Sequence, residues 1–130
     1  MKIHHIGYLV KNIDKAISKF EGLGYVSGEV TRNENRGIDV CFLEGDGYSV
    51  ELVSPYTDES DVADRIKKNP NSPYHICYIS ESLTDDIERL KAEKYMQVSE
   101  IGKAPSIGNA EAVFMYNRDI GLIELVQFIS

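Results

Sequence analysis

The period of the hydrophobic pattern changes several times along this chain. Lys2–Val10 alternates as a strand does, with Ile3, His5, Gly7 and Leu9 on one face. From Ile13 the apolar spacing becomes four and then three, through Ile17 and Phe20. That spacing predicts an amphipathic helix, capped by Asn12 or Asp14 and stopped by Gly22 and Gly24. Strand patterns follow at Tyr25–Thr31, Ile38–Leu43 and Tyr48–Val53, the last two joined by the turn Glu44-Gly45-Asp46-Gly47. The order then starts again. Tyr74–Ile79 reads as a strand, and Leu83, Ile87 and Leu90 as a helix face capped by Ser82 or Thr84. Strands are expected near Met96–Glu100, Glu111–Tyr116 and Leu122–Phe128. The connection carries Pro55 and Pro70, with Pro73 just beyond it, and a short helix around Asp61–Lys68.

The two halves match residue for residue over long stretches. His5-Ile6-Gly7-Tyr8-Leu9 aligns with His75-Ile76-Cys77-Tyr78-Ile79 at an offset of 70 residues. Val50-Glu51-Leu52-Val53 aligns with Ile123-Glu124-Leu125-Val126 at an offset of 73. Two echoes in the same order point to a duplicated unit. The expected fold class is α+β: two βαβββ modules forming a cupped, mainly antiparallel sheet around a metal site. The expected organisation is one domain over 1–130, made of module 1–54 and module 73–130 joined by linker 55–72.

Polar residues inside the apolar strands carry the candidate chemistry. His5 and His75 lie in the first strand of each module, Glu51 and Glu124 in the last. A buried carboxylate is costly unless it is paired or binds a cation. A single histidine in an apolar strand is usually a core residue, and a single strand glutamate usually faces solvent. Recurrence of both at equivalent places favours a shared role. Two imidazoles and two carboxylates suit Zn²⁺, Ni²⁺, Co²⁺, Mn²⁺ or Fe²⁺. His4 has Tyr74 at its equivalent position and reads as a non-ligand.

Composition narrows the partners. The 130 residues carry 14 Lys+Arg against 21 Asp+Glu, a formal net charge of -7, which argues against nucleic acid and anionic membranes. No apolar run approaches the ~20 residues of a spanning helix, and no signal peptide is read at the start, so a cytoplasmic protein is expected. Cys41 and Cys77 sit in apolar strands and read as inert core thiols.

The motifs His5-Ile6-Gly7, Val50-Glu51-Leu52, Tyr74-His75-Ile76-Cys77 and Gly121-Leu122-Ile123-Glu124-Leu125 resemble those of the vicinal oxygen chelate (glyoxalase/bleomycin resistance/dioxygenase) superfamily, over residues 2–128. The resemblance implies that His5, Glu51, His75 and Glu124 hold one divalent metal ion (Ni, Zn, Co or Mn). It also implies a small-molecule substrate, a homodimer and proton transfer beside a metal-bound carbonyl, with Glu124 as the proton-transferring residue and Glu51 second. The leading reading is a glyoxalase-I-like lyase/isomerase of the lactoylglutathione lyase type. The alternatives are a methylmalonyl-CoA epimerase-like racemase and a non-catalytic drug-binding protein. Leu9 and Pro55 stand where bacterial glyoxalases I carry arginine and asparagine, and Asn35, beside Glu34, stands where epimerases carry a further glutamate.

Other residues read blandly. Arg32, Arg36, Lys67 and Lys68 are expected on the surface; Phe42, Tyr48, Tyr56, Met115 and Tyr116 read first as packing, with a pocket lining as the alternative. Substrate-binding residues are not identified. Gly102–Gly108, with Pro105, is expected to be a mobile loop able to close over substrate.

Overall fold

The computed structural model describes residues 1–128. Residues 129–130, the end of the expected second module, lie outside the described residues. In chain order the elements are β1 (Ile3–Leu9), α1 (Ile13–Glu21), β2 (Val26–Asn33), β3 (Ile38–Glu44), β4 (Ser49–Pro55), α2 (Ala63–Lys68), β5 (Ser72–Ile79), α3 (Leu83–Ala92), β6 (Met96–Gln97), β7 (Gly102–Ala104), a 3₁₀ turn (Pro105–Ile107), β8 (Ala110–Asn117) and β9 (Gly121–Gln127). The fold is mixed α+β, as the pattern predicts. Chain contacts divide it into two compact units, residues 5–74 and residues 1–4 together with those from 75 onward.

In the unit of residues 5–74, β2, β3 and β4 pair antiparallel and β1 pairs parallel with β4. Asn12 caps α1, its Oδ1 accepting the Lys15 N–H at 2.9 Å. The helix lays Ile13, Ala16, Ile17 and Phe20 against Val10, Cys41, Leu43, Val50 and Leu52. Strand alternation therefore turns Glu51 to the opposite face from Val50 and Leu52. At one end of that second face Leu9, Ile38, Val40 and Val53 pack with Val62 and Ile66 of the α2 region. The connecting segment thus belongs to the core of this unit through two apolar residues four apart.

The second unit repeats the scheme. β5 pairs parallel with β9, β9 antiparallel with β8, and both β6 and β7 antiparallel with β8. Ser82 caps α3 by accepting the Asp85 N–H at 3.3 Å. Leu83, Ile87 and Leu90 pack on Val113, Met115, Ile123 and Leu125. Small details recur as well: Tyr25 N–H donates to the Phe20 carbonyl at 3.2 Å, and Tyr95 N–H to the Leu90 carbonyl at 3.0 Å.

Two expectations need correction. The strand expected over Met96–Glu100 keeps regular register only at Met96–Gln97, with one further backbone bond from the Val98 N–H to the Phe114 carbonyl at 3.0 Å. Past it, the Phe114 N–H donates at 2.8 Å to the Ser99 hydroxyl instead of to a backbone carbonyl, which interrupts the ladder. The first unit is irregular at a similar place, where the β2–β3 register shifts between Ser27 and Val30. The segment Gly102–Gly108 is not an open loop. Its first three residues pair with β8, Pro105 opens a 3₁₀ turn, and Gly108 closes it at φ 61°.

Candidate metal centre

Each unit carries the same trio of side chains, a buried His–Glu pair and a half-buried phenylalanine. In residues 5–74, Gly7 is the register partner of Glu51 in the parallel β1–β4 pair. His5, two residues before Gly7, shares that face, so the imidazole reaches diagonally past a residue with no side chain. His5 Nε2 lies 3.4 Å from Glu51 Oε1, and both residues are buried. Phe42 is the partner of Glu51 on β3. Its ring meets the His5 ring edge to face, centroids 5.3 Å apart and planes at 81°.

In the second unit Cys77 is the register partner of Glu124 in the parallel β5–β9 pair. His75 lies two residues before it. His75 Nε2 and Glu124 Oε1 are 3.1 Å apart, again with both residues buried. Phe114 partners Glu124 on β8 and meets the His75 ring at 5.2 Å and 88°. The predicted residues thus come together as His5 with Glu51 and His75 with Glu124.

Donor type and spacing both suit a cation. Nitrogen and carboxylate ligands bind Zn²⁺ and its neighbours at about 2.0–2.2 Å, which sets adjacent donor atoms about 3 Å apart. The two N···O spacings, 3.4 and 3.1 Å, match that value. Burial raises the demand for a partner, because a desolvated carboxylate needs a counter-charge or hydrogen bonds.

Of the other candidates, all but His4 and Cys77 fall elsewhere. Arg32 binds Asp39 at 2.8 Å and stacks over Tyr56, 3.8 Å from the ring centre. Arg36 binds Asp61 at 2.7 Å. Lys67 and Lys68 are exposed. Tyr48 hydrogen-bonds Tyr25 on the surface, Met115 lies in the α3 core, and Tyr116 is exposed. His4 packs against Phe128 with centroids 5.5 Å apart. Glu34 and Asn35 are exposed in the β2–β3 turn. Cys41 and Cys77 are buried thiols, and burial pushes the Cys41 thiol above its usual range. The paired roles of Phe42 and Phe114 were missed by sequence reasoning. Their offset of 72 residues, between the two offsets that align the histidines and the glutamates, is the signal that finds them.

The fold and these residues define a known class. The family model of the Glyoxalase/Bleomycin resistance protein/Dioxygenase superfamily matches residues 4–116, and the chain belongs to that superfamily. Its relatives carry a narrower name. The chain is 28% identical over 132 residues to the ethylmalonyl-CoA/methylmalonyl-CoA epimerase of Cereibacter sphaeroides, covering 97% of both chains. It is 27% identical over 130 residues to the mitochondrial methylmalonyl-CoA epimerase of Bos taurus, covering 97% of this chain and 74% of the relative. Among solved structures, methylmalonyl-CoA epimerase from Mycobacterium tuberculosis shares the fold with a TM-score of 0.84 and 23% identity, over 98% of this chain and 88% of that one. These similarities back the epimerase alternative rather than the lactoylglutathione lyase reading that the sequence put first. No helix of the described residues is long and apolar enough to cross a membrane.

Proposed function

We propose that this chain is a metal-dependent isomerase of the methylmalonyl-CoA epimerase kind, moving a proton on the carbon next to the thioester carbonyl of a small acyl-CoA. The observation that carries the reading is the buried His–Glu contact that recurs in both units, at 3.4 and 3.1 Å. The similar proteins named as epimerases support it. In this reading His5, Glu51, His75 and Glu124 are the ligands of one divalent ion: Ni, Zn, Co or Mn.

The bound ion supplies a Lewis acid for charge developing on the substrate carbonyl. The chain's own residues handle the proton. The Glu124 carboxylate accepts it from the α-carbon, with Glu51 as the second proton-handling residue. Epimerisation needs proton-handling groups on both faces of the carbon. Burial of both glutamates keeps bulk water from competing for the proton. The active form is proposed to be a homodimer, which sedimentation equilibrium tests.

Deuterium exchange is the decisive experiment. Metal-loaded protein is incubated with methylmalonyl-CoA in D₂O, and loss of the α-proton is followed by NMR against a protein-free blank. Exchange above the blank that disappears in Glu124→Gln is the expected result. Turnover of the methylglyoxal–glutathione hemithioacetal without acyl-CoA exchange would restore the lyase reading. Metal binding with neither reaction would leave a small-molecule binding protein.

A further inference from the structure

We infer that Phe42 and Phe114 are positioning residues that fix the imidazole planes of His5 and His75 for cation binding, an inference that rests on the metal reading above. The repetition is the first argument. The modules differ by insertions, so histidines, phenylalanines and glutamates align at offsets of 70, 72 and 73 residues. Despite this drift, both phenylalanines end opposite the glutamate of their own unit. Both rings also stand nearly perpendicular to the imidazole of that unit, at 81° and 88°.

The second argument is what a metal-ligating imidazole requires. Its lone pair lies in the ring plane, so rotation about the bond from Cβ to the ring swings Nε2 away from the ion. A perpendicular phenyl ring 5.2–5.3 Å away occupies the space that rotation needs. The phenyl group offers no ligand atom and no hydrogen bond, so its effect on the site is geometric. Packing under the helix does not account for Phe114. Alternation turns it away from Val113 and Met115, which face α3. Its backbone is anchored where the ladder is interrupted, by the 2.8 Å bond from its N–H to Ser99 Oγ.

The test measures metal rather than turnover. Zn²⁺ affinity of the full chain is read by competition with a chromophoric chelator, and ligand geometry by the visible spectrum of the Co²⁺ form. Four variants are compared with wild type: Phe114→Leu, Phe42→Leu, Phe114→Tyr and His75→Ala. The leucine variants keep an apolar side chain but remove the ring. Each is expected to weaken Zn²⁺ about tenfold, the lower end of what outer-shell changes cost, and to shift the Co²⁺ bands. Phe114→Tyr, which keeps the ring, is expected to restore both. Wild-type affinity and spectrum in both leucine variants, with metal lost in His75→Ala, would overturn the inference and leave the metal reading intact. Equal losses in Phe114→Leu and Phe114→Tyr would also overturn it, since volume and not ring orientation would then matter. A wild-type protein that takes up neither ion would remove the metal reading and this inference together. The two leucine changes lie in separate units, so failure of one to fold leaves the other as the test.

Discussion

Gly7 lies directly beside Glu51 in the parallel register of β1 and β4. Cys77 holds the matching place beside Glu124. The first unit therefore puts a hydrogen atom next to its carboxylate where the second puts a thiol-bearing side chain. The His–Glu spacing is the longer of the two on the glycine side, 3.4 against 3.1 Å. The diagonal from His5 to Glu51 passes over Gly7 and that from His75 to Glu124 over Cys77, so a side chain of thiol size leaves such a contact open and a larger, branched one is expected to obstruct it.

Gly7→Leu tests this directly. Adding a branched side chain to a buried strand position costs about 1–3 kcal/mol through overpacking. Urea unfolding is expected to show a loss of that size, together with loss of metal binding. A variant that binds metal normally would mean that Glu51 does not depend on the space above Gly7.

His75→Ala removes the imidazole from a buried carboxylate. Deleting one partner of a buried hydrogen bond typically costs about 1–3 kcal/mol, and a loss of that size is expected in metal-free protein. Chelation should lower the melting temperature of wild type, because an ion at a hundred times its Kd adds about 2.7 kcal/mol to folding. It should leave His75→Ala unmoved. An equal response of both proteins to the chelator would count against His75 as a ligand.

Gly37→Ala probes the β2–β3 turn without touching the His–Glu pairs. Gly37 has φ +68°, and a Cβ there would stand 2.6 Å from Thr57 Cγ2. Left-handed strain and the clash together should cost about 2 kcal/mol, seen as a lower midpoint in urea at unchanged metal affinity. Undiminished stability would show that the turn relaxes freely.

Cys41 sets an alkaline limit. Burial raises its thiol pKa, so the native state holds the proton more tightly than the unfolded chain does. That contribution to stability is complete below the unfolded value of about 8.5. It is lost as pH rises through the folded value. Unfolding free energy should therefore fall on the alkaline side, and fall less steeply in Cys41→Val. Native protein at pH 8 should alkylate slowly at Cys41, which peptide mass mapping reads; rapid labelling would sink the assignment.

Much of the fold was legible because its signals are local. Apolar spacing marked α1 and α3, and residue type and place narrowed each cap to two candidates, of which the structure uses Asn12 and Ser82. The doubled strand–helix order was visible because the aligned residues around His5 and His75 fall in one ungapped block. Short elements gave no such pattern. Gly102–Ala104 shows no alternation and gains its strand character only from the β8 backbone it pairs with. Ser99 ends the β6 pairing with a side-chain oxygen, a choice that propensity does not encode.

For the candidate site, the sequence by itself determined which residues recur, and so that two histidines and two glutamates stand at equivalent positions in apolar strands. Alternation also fixed which strand face each would share with its neighbours. Only the tertiary structure decided the partners within each unit: that His5 reaches Glu51 past Gly7, that His75 reaches Glu124 beside Cys77, and that a phenyl ring stands across each imidazole. Those facts depend on the register between strands far apart in the chain. Strand pairing is made by backbone hydrogen bonds that are the same for every residue type, so register becomes fixed only when whole faces pack together.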